Sequence, residues 1–265
     1  MIDIGVNLTN KRFDKDRTEL ILRARAVGVN QLLITGTSVH ESKQALALSQ
    51  HYQEQFPNTL YSTAGVHPHD ADHVSESYLA ELSQLLKHPQ VKAVGECGLD
   101  FNRNFSAPDQ QVKIFQEQIK LAQQLEMPLF LHQRDAFEDW FNELKPFVDQ
   151  VPAMVAHCFT GTAEELKQCI DVGMYIGITG WICDERRGKT LQDIVSRVPF
   201  DRLLIETDAP YLTPRNIRPK PKSSRNEPSY LPYVIEKIAN ITGLDPEEIA
   251  CQTSINAQQV FNLPS

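Results

Sequence analysis

The sequence has no apolar run approaching the roughly 20 residues that span a bilayer. Its start, Met1-Ile2-Asp3, lacks the basic residues and apolar stretch of a secretory signal. A cytoplasmic protein with no membrane partner is expected. Cysteine is scarce and shows no pairing pattern: the five residues Cys97, Cys158, Cys169, Cys183 and Cys251 are odd in number and include no CxxC. That excludes a disulfide framework and a zinc ribbon. Positive charge is not in excess either. A net charge of -8 excludes a protein that coats nucleic acid through its overall field, so a polyanion would have to be met by a local basic patch. No internal repeat or low-complexity tract breaks the chain. Its 265 residues, 41% of them hydrophobic, suffice for one large core, and a single domain over residues 1–265 is expected.

What is present is alternation. Strand-like runs lie at 2–6, 31–35, 60–66, 91–96, 128–132, 153–157, 174–178 and 202–205. Between them apolar residues recur at helical spacing, as in Leu20, Ile21, Ala24 and Val27, or Val112, Phe115, Ile119 and Ala122. Strand followed by helix, eight times over, predicts parallel pairing with right-handed crossovers and fits a closed (β/α)8 TIM barrel better than an open sheet. Two helices close the chain, over 230–242 and 245–261, so one is extra to the barrel. Asp245 is expected to cap the second, with Pro246 at its first position and Glu247 and Glu248 in its first turn.

Four apolar runs, 91–96, 128–132, 153–157 and 203–208, each end in a side chain able to bind a metal: Glu96, His132, His157 and Asp208. In a barrel these ends converge on the face where active sites are built. Glu96 leaves an apolar strand between two glycines, and a carboxylate there is costly to bury unless paired or metal-bound, which favours a ligand over a salt-bridged structural acid. His132 and His157 follow on successive strands, and together the three suit a cation held by nitrogen and oxygen. Glu206 and Asp208, two residues apart, should face the same side, as a hydrolytic pair of carboxylates would. The competing reading of Asp208 is a helix cap. His67 and His69 show the same two-residue spacing, with His67 the better site candidate, for binding or orienting a substrate phosphate ahead of a metal role. Asp100, Arg103 and Arg134, expected just beyond strand ends, are candidate substrate contacts or solvated loop charges. After Asp208 a proline-rich stretch carries Arg215, Arg218, Lys220, Lys222 and Arg225. Prolines hold it extended, and its charges serve either phosphate contact or solubility alone.

The segments Thr63-Ala64-Gly65-Val66-His67-Pro68-His69, Gly95-Glu96-Cys97-Gly98-Leu99-Asp100, Leu131-His132-Gln133-Arg134-Asp135, His157-Cys158-Phe159-Thr160-Gly161 and Glu206-Thr207-Asp208-Ala209-Pro210-Tyr211 together resemble the TatD-type metal-dependent deoxyribonucleases of the amidohydrolase superfamily. The five motifs in this order cover essentially the whole chain. The resemblance implies a divalent-metal-dependent hydrolase of phosphodiesters, a 3′–5′ exonuclease on single-stranded DNA with RNA as a further substrate, acting in DNA repair or degradation. It implies Glu96, His132 and His157 as metal ligands, Asp208 as ligand or water-activating group, and Glu206 in support. Mg²⁺ is the expected ion, although the donor set also accepts Mn²⁺ or Zn²⁺. A monomer is expected. One departure stands out. Many members carry His-x-His on the first strand, where this chain has Gly5 and Asn7. Glycine cannot ligate and asparagine offers a neutral oxygen, so one firmly held ion is expected, any second arriving weakly or with substrate. Two rivals remain open: a hydrolase of small esters or amides on the same barrel, and a non-enzymatic binding barrel.

Overall fold

The computed structural model describes residues 1–264. Among them, eight parallel strands form one sheet in sequential order: β1 (Ile2–Val6), β2 (Gln31–Ile34), β3 (Leu60–Ala64), β4 (Val91–Asp100), β5 (Leu129–Arg134), β6 (Met154–Ala156), β7 (Tyr175–Ile178) and β8 (Leu203–Ile205). Each strand is followed by helical structure, and the architecture is the (β/α)8 barrel. The apolar runs form strands because both faces of a barrel strand are covered, one by the interior and one by helices, so alternation gives way to continuous hydrophobicity.

The chain clusters into two compact units. One comprises Ile34–His157 with Val172–Met174; the other comprises Met1–Leu33, Cys158–Asp171 and Tyr175–Ser265. The first holds β3 to β6 and the helices α2 (Val39–His51), α3 (Tyr78–Leu85), α4 (Pro108–Leu125) and α5 (Phe137–Leu144). Helix α4 starts with proline at its first position, where a missing N–H costs nothing, and ends at Glu126 in the left-handed conformation. Its buried face carries Phe115, Ile119 and Ala122, as the spacing predicts, with Ile114 buried where Val112 is only half-buried, and also two glutamines, Gln111 and Gln118.

The second unit holds β1, β7 and β8. Its helices are α1 (Arg17–Ala26), α6 (Ala163–Asp171), α7 (Lys189–Ile194), α8 (Leu231–Thr242) and α9 (Pro246–Phe261). Here the end of β1 meets the segment that follows β8 through a bridge between Val6 and Ala209. Helix α9, the extra one, begins as expected: the Asp245 carboxylate accepts from the N–H groups of Glu247 and Glu248. It is tied to β8 by Asn256, whose amide donates to the carbonyls of Phe200 and Leu203 at 2.9 and 2.8 Å. No described helix is long and apolar enough to cross a membrane.

Two strands run further than expected. β4 continues past Glu96 to Asp100 and β5 past His132 to Arg134, so Asp100 and Arg134 are the last residues of strands, not loop residues beyond them. The extension is allowed by a bulge. Gly95 pairs with Phe130 and Cys97 with Leu131, which leaves Glu96 as the residue without a partner on β5. Glycines make the close approach possible: a Cβ on Gly95 would lie 2.2 Å from the Phe130 carbonyl oxygen, and one on Gly98 would lie 1.8 Å from that of His132.

Candidate metal centre

Glu96 owes its position to the bulge. Out of the ladder, its N–H donates to the Gly36 carbonyl at 2.8 Å, and its side chain meets three imidazoles. His132 Nδ1 lies 3.0 Å from Oε1, and the Nε2 atoms of His67 and His157 each lie 3.4 Å away. Burial opposes ionisation of this carboxyl, but the three histidines outweigh it and hold it well below its usual range. The ligand atoms of His67, Glu96 and His132 all fall within 4.8 Å of one another. A buried carboxylate among imidazoles, with no lysine or arginine in the group, is the donor chemistry of a divalent-cation site. The cluster can hold such an ion.

The three histidines differ in state. His67 is buried, which lowers its pKa to about 3 despite the Glu96 charge. Its Nδ1 accepts from the His69 N–H at 3.1 Å, so the proton of the neutral ring sits on Nε2, directed at Glu96. His132 is placed between carboxylates, Glu96 at Nδ1 and Asp100 Oδ2 at 3.4 Å from Nε2. Burial works against its charge, yet the bonds to Asp100 and Glu96 prevail and raise its pKa. His157 stands against the ring of Phe130, 4.6 Å between centroids, and its N–H donates to the Leu131 carbonyl.

Asp100 joins this group to a loop. Its Oδ2 is 2.9 Å from His69 Nε2, and its Oδ1 accepts from the N–H groups of Asn102 and Arg103 at 3.1 and 2.9 Å. Although buried, it is held well below the usual carboxylate range by His132, Arg103 N–H and His69. The glutamines of α4 set the backbone on either side. Gln118 accepts from Val66 N–H at 2.7 Å and donates to its carbonyl at 3.0 Å, next to His67; Gln111 does the same for Asp100 at 2.9 and 3.2 Å. Neither glutamine is evident as functional in the sequence. The available signal was two amides, two turns apart, on an otherwise apolar helix face.

The second unit holds the Glu206-Thr207-Asp208 motif. Glu206 is fully buried, and its Oε1 accepts from the Cys158 N–H at 2.6 Å. Gly177 makes room for it, since a Cβ there would come within 2.5 Å of that oxygen. Asp208 is left-handed at φ 52°. Its Oδ1 accepts from the Asn7 amide at 2.8 Å, and its N–H donates to the Gly5 carbonyl at 2.8 Å. Thus the two first-strand positions that lack histidine orient Asp208. Asp3, absent from the sequence-based candidates, accepts from Thr207 N–H at 2.9 Å and Thr207 hydroxyl at 2.6 Å; complete burial raises its pKa to about 7.

The basic residues divide. Arg103 is exposed and, among the described residues, makes no ion pair. Arg134 ends β5, and its carbonyl accepts from Phe101 N–H. Arg215 pairs with the buried Asp184 at 3.3 Å, lining a cavity of about 300 Å³ with Trp181, Arg186 and Arg187. Arg218 caps carbonyls of its own loop, those of Arg215 and Ile217. Arg225 is committed to Asp16 through two contacts of 2.7 Å.

A family model described as TatD related DNase matches residues 2–262. The chain is 52% identical over 263 residues to the 3′-5′ ssDNA/RNA exonuclease TatD of Erwinia tasmaniensis, covering 99% of this chain and 100% of the relative. It is 49% identical to the protein of the same name from Salmonella typhimurium, covering 99% of each. Among solved structures, a TatD-family hydrolase from Entamoeba histolytica superposes with TM-score 0.90 at 28% identity, covering 98% of this chain and 97% of that one. A TatD homologue from Escherichia coli gives 0.89 at 28% identity, covering 100% and 98%.

Proposed function

Because the chain belongs to the TatD-related DNase family, we propose that it is a divalent-metal-dependent 3′–5′ exonuclease on single-stranded DNA and RNA, working as a cytoplasmic monomer with Mg²⁺. The observation that carries the reading is the bulged Glu96 among His67, His132 and His157, a buried group with the donor chemistry of a metallohydrolase.

Glu96, His132 and His157 would hold the ion. When bound, a divalent ion supplies Lewis acidity to a phosphoryl oxygen and to the attacking water. The protein's residues do the rest. His67, neutral and beside Glu96, orients the substrate phosphate. Asp208 accepts the proton of the water, its carboxylate oriented by Asn7. Glu206 acts by holding the backbone at Cys158, next to His157. Asp100 orients His132, as a carboxylate behind a liganding imidazole does. Arg103 and Arg134 take phosphates next to the one attacked, and Arg215 and Arg218 meet the strand farther along. Gly5 and Asn7 in place of histidines support one firmly held ion. Residues 1–265 are read as one catalytic domain, in keeping with a family model that spans both units.

The test is digestion of a 5′-labelled single-stranded oligonucleotide in Mg²⁺. Wild type should produce a ladder shortened from the 3′ end, and chelator should stop it. Glu96→Ala and Asp208→Asn should each lower the rate about a thousandfold, the several kcal/mol expected of metal and base contributions. Equal trimming by all three proteins would overturn the assignment.

A further inference from the structure

We propose that Phe105 is the platform on which a nucleobase of the bound strand stacks, in a nucleotide beside the phosphate at the Glu96–His132 centre; this rests on the nuclease reading. Phe105 is 63% exposed, the largest exposure among the big apolar side chains described. Leaving such a ring in water forgoes the free energy that its burial would contribute. Display of this kind is informative where the backbone is fixed, and here it is fixed on both sides. Asn104, left-handed at φ 48°, donates from its amide to the Phe101 carbonyl at 2.9 Å. Ser106 is buried, donates to the His69 carbonyl at 2.9 Å and accepts from Asp72 N–H at 3.0 Å. The loop itself hangs on Asp100 through the N–H groups of Asn102 and Arg103.

The ring is also aimed. It meets His69 edge-to-face at 4.7 Å, and His69 meets His67 edge-to-face at 4.3 Å, so the rings lead from the loop to Glu96. One contact of this kind leaves most of the ring for a partner. Two residues away Arg103 offers a cation without an ion pair among the described residues. An aromatic face and a cation on one short, braced loop match a base and its phosphate, and stacking accepts every base, as removal of successive terminal nucleotides requires. Neither a protein surface nor a membrane calls for a lone ring beside a metal centre.

The experiment compares wild type, Phe105→Ala and Phe105→Tyr on three oligothymidylates in Mg²⁺: one with all bases, one with a tetrahydrofuran abasic residue at the 3′-terminal nucleotide, and one with it at the penultimate nucleotide. On the all-base strand Phe105→Ala should raise KM about 10- to 100-fold, the range for loss of one stacked base, and Phe105→Tyr should stay near wild type. On whichever abasic strand lacks the stacking base, wild type and Phe105→Ala should become equal. The proposal is overturned if Phe105→Ala matches wild type on the all-base strand. It is equally overturned if the penalty persists on both abasic strands, since loop distortion would not depend on the base. Should wild type leave all three strands intact, the nuclease reading fails on its own. Fluorescence anisotropy of the same strands then reads the stack: weaker binding by Phe105→Ala confined to strands carrying the base supports it, and equal binding overturns it.

Discussion

At the scale of single residues, His132 is the most constrained group in the centre. Both ring nitrogens face carboxylates, which raises its pKa above the usual imidazole value, whereas neutral His67 beside it falls to about 3. An ion can bind His132 only where a proton leaves. Below the raised pKa, uptake of a divalent ion should therefore release about one proton, and the apparent affinity should climb up to tenfold per pH unit before levelling above that pKa. Calorimetric titration with Mn²⁺ at pH 6, in buffers of different ionisation enthalpy, measures the release; heats independent of the buffer would contradict it. These states were not readable from the sequence. The spacing of His132 after an apolar run marks it as a candidate, but its charge depends on Asp100, which arrives from another strand. His67 is similar: its tautomer follows from a backbone N–H two residues on, a detail of the turn.

At the scale of elements, the bulge in β4 and the loop after β8 differ most from a regular reading. Alternation along residues 91–96 locates the strand but cannot show that Glu96 leaves the ladder, because the bulge is defined by register with β5. The proline-rich loop is non-helical, as its composition requires. Its charges, however, are not all available to phosphate. Arg225 pairs with Asp16, which also pairs with Arg23, and Arg23 reaches Glu227. The Arg225 bonds, against partial burial and with help from Arg23, lower the Asp16 pKa to about 2. A carboxyl lowered in the folded state adds stability that is present above its unfolded pKa, near 4, and is lost as pH falls through its folded one. Asp16→Asn should thus destabilise by about 1 kcal/mol or less at neutral pH, the pairs being partly solvated. That difference should shrink between about pH 4 and about pH 2. Urea midpoints across this range check it, and a difference unchanged at the acid end would refute it.

At the scale of the whole molecule, a net charge of -8 sets the terms on which a polyanion can bind. Affinity must come from a few placed cations and from contacts with bases, so few counterions are released. Because each phosphate neutralised on a single strand contributes about 0.7 to the salt slope, the four arginines placed on the strand limit the log–log slope of oligonucleotide binding to about 3 in magnitude. Anisotropy titrations between about 50 and 200 mM salt in chelator measure it; a slope of about 4 or more would mean a broad basic surface that the charge balance does not provide. The sequence by itself determined the order of strands and helices, the capping of α9 by Asp245, and the short set of strand-end acids and imidazoles. These follow from local periodicity, backbone preference and the fixed direction of parallel strands. Only the tertiary structure decided that Glu96 is bulged toward three histidines, that Gln111 and Gln118 brace the neighbouring backbone, that Arg225 is committed to Asp16, and that Phe105 is displayed beside His69. Each of these depends on a distance between segments remote in sequence, and such distances exist only once the strands are in register.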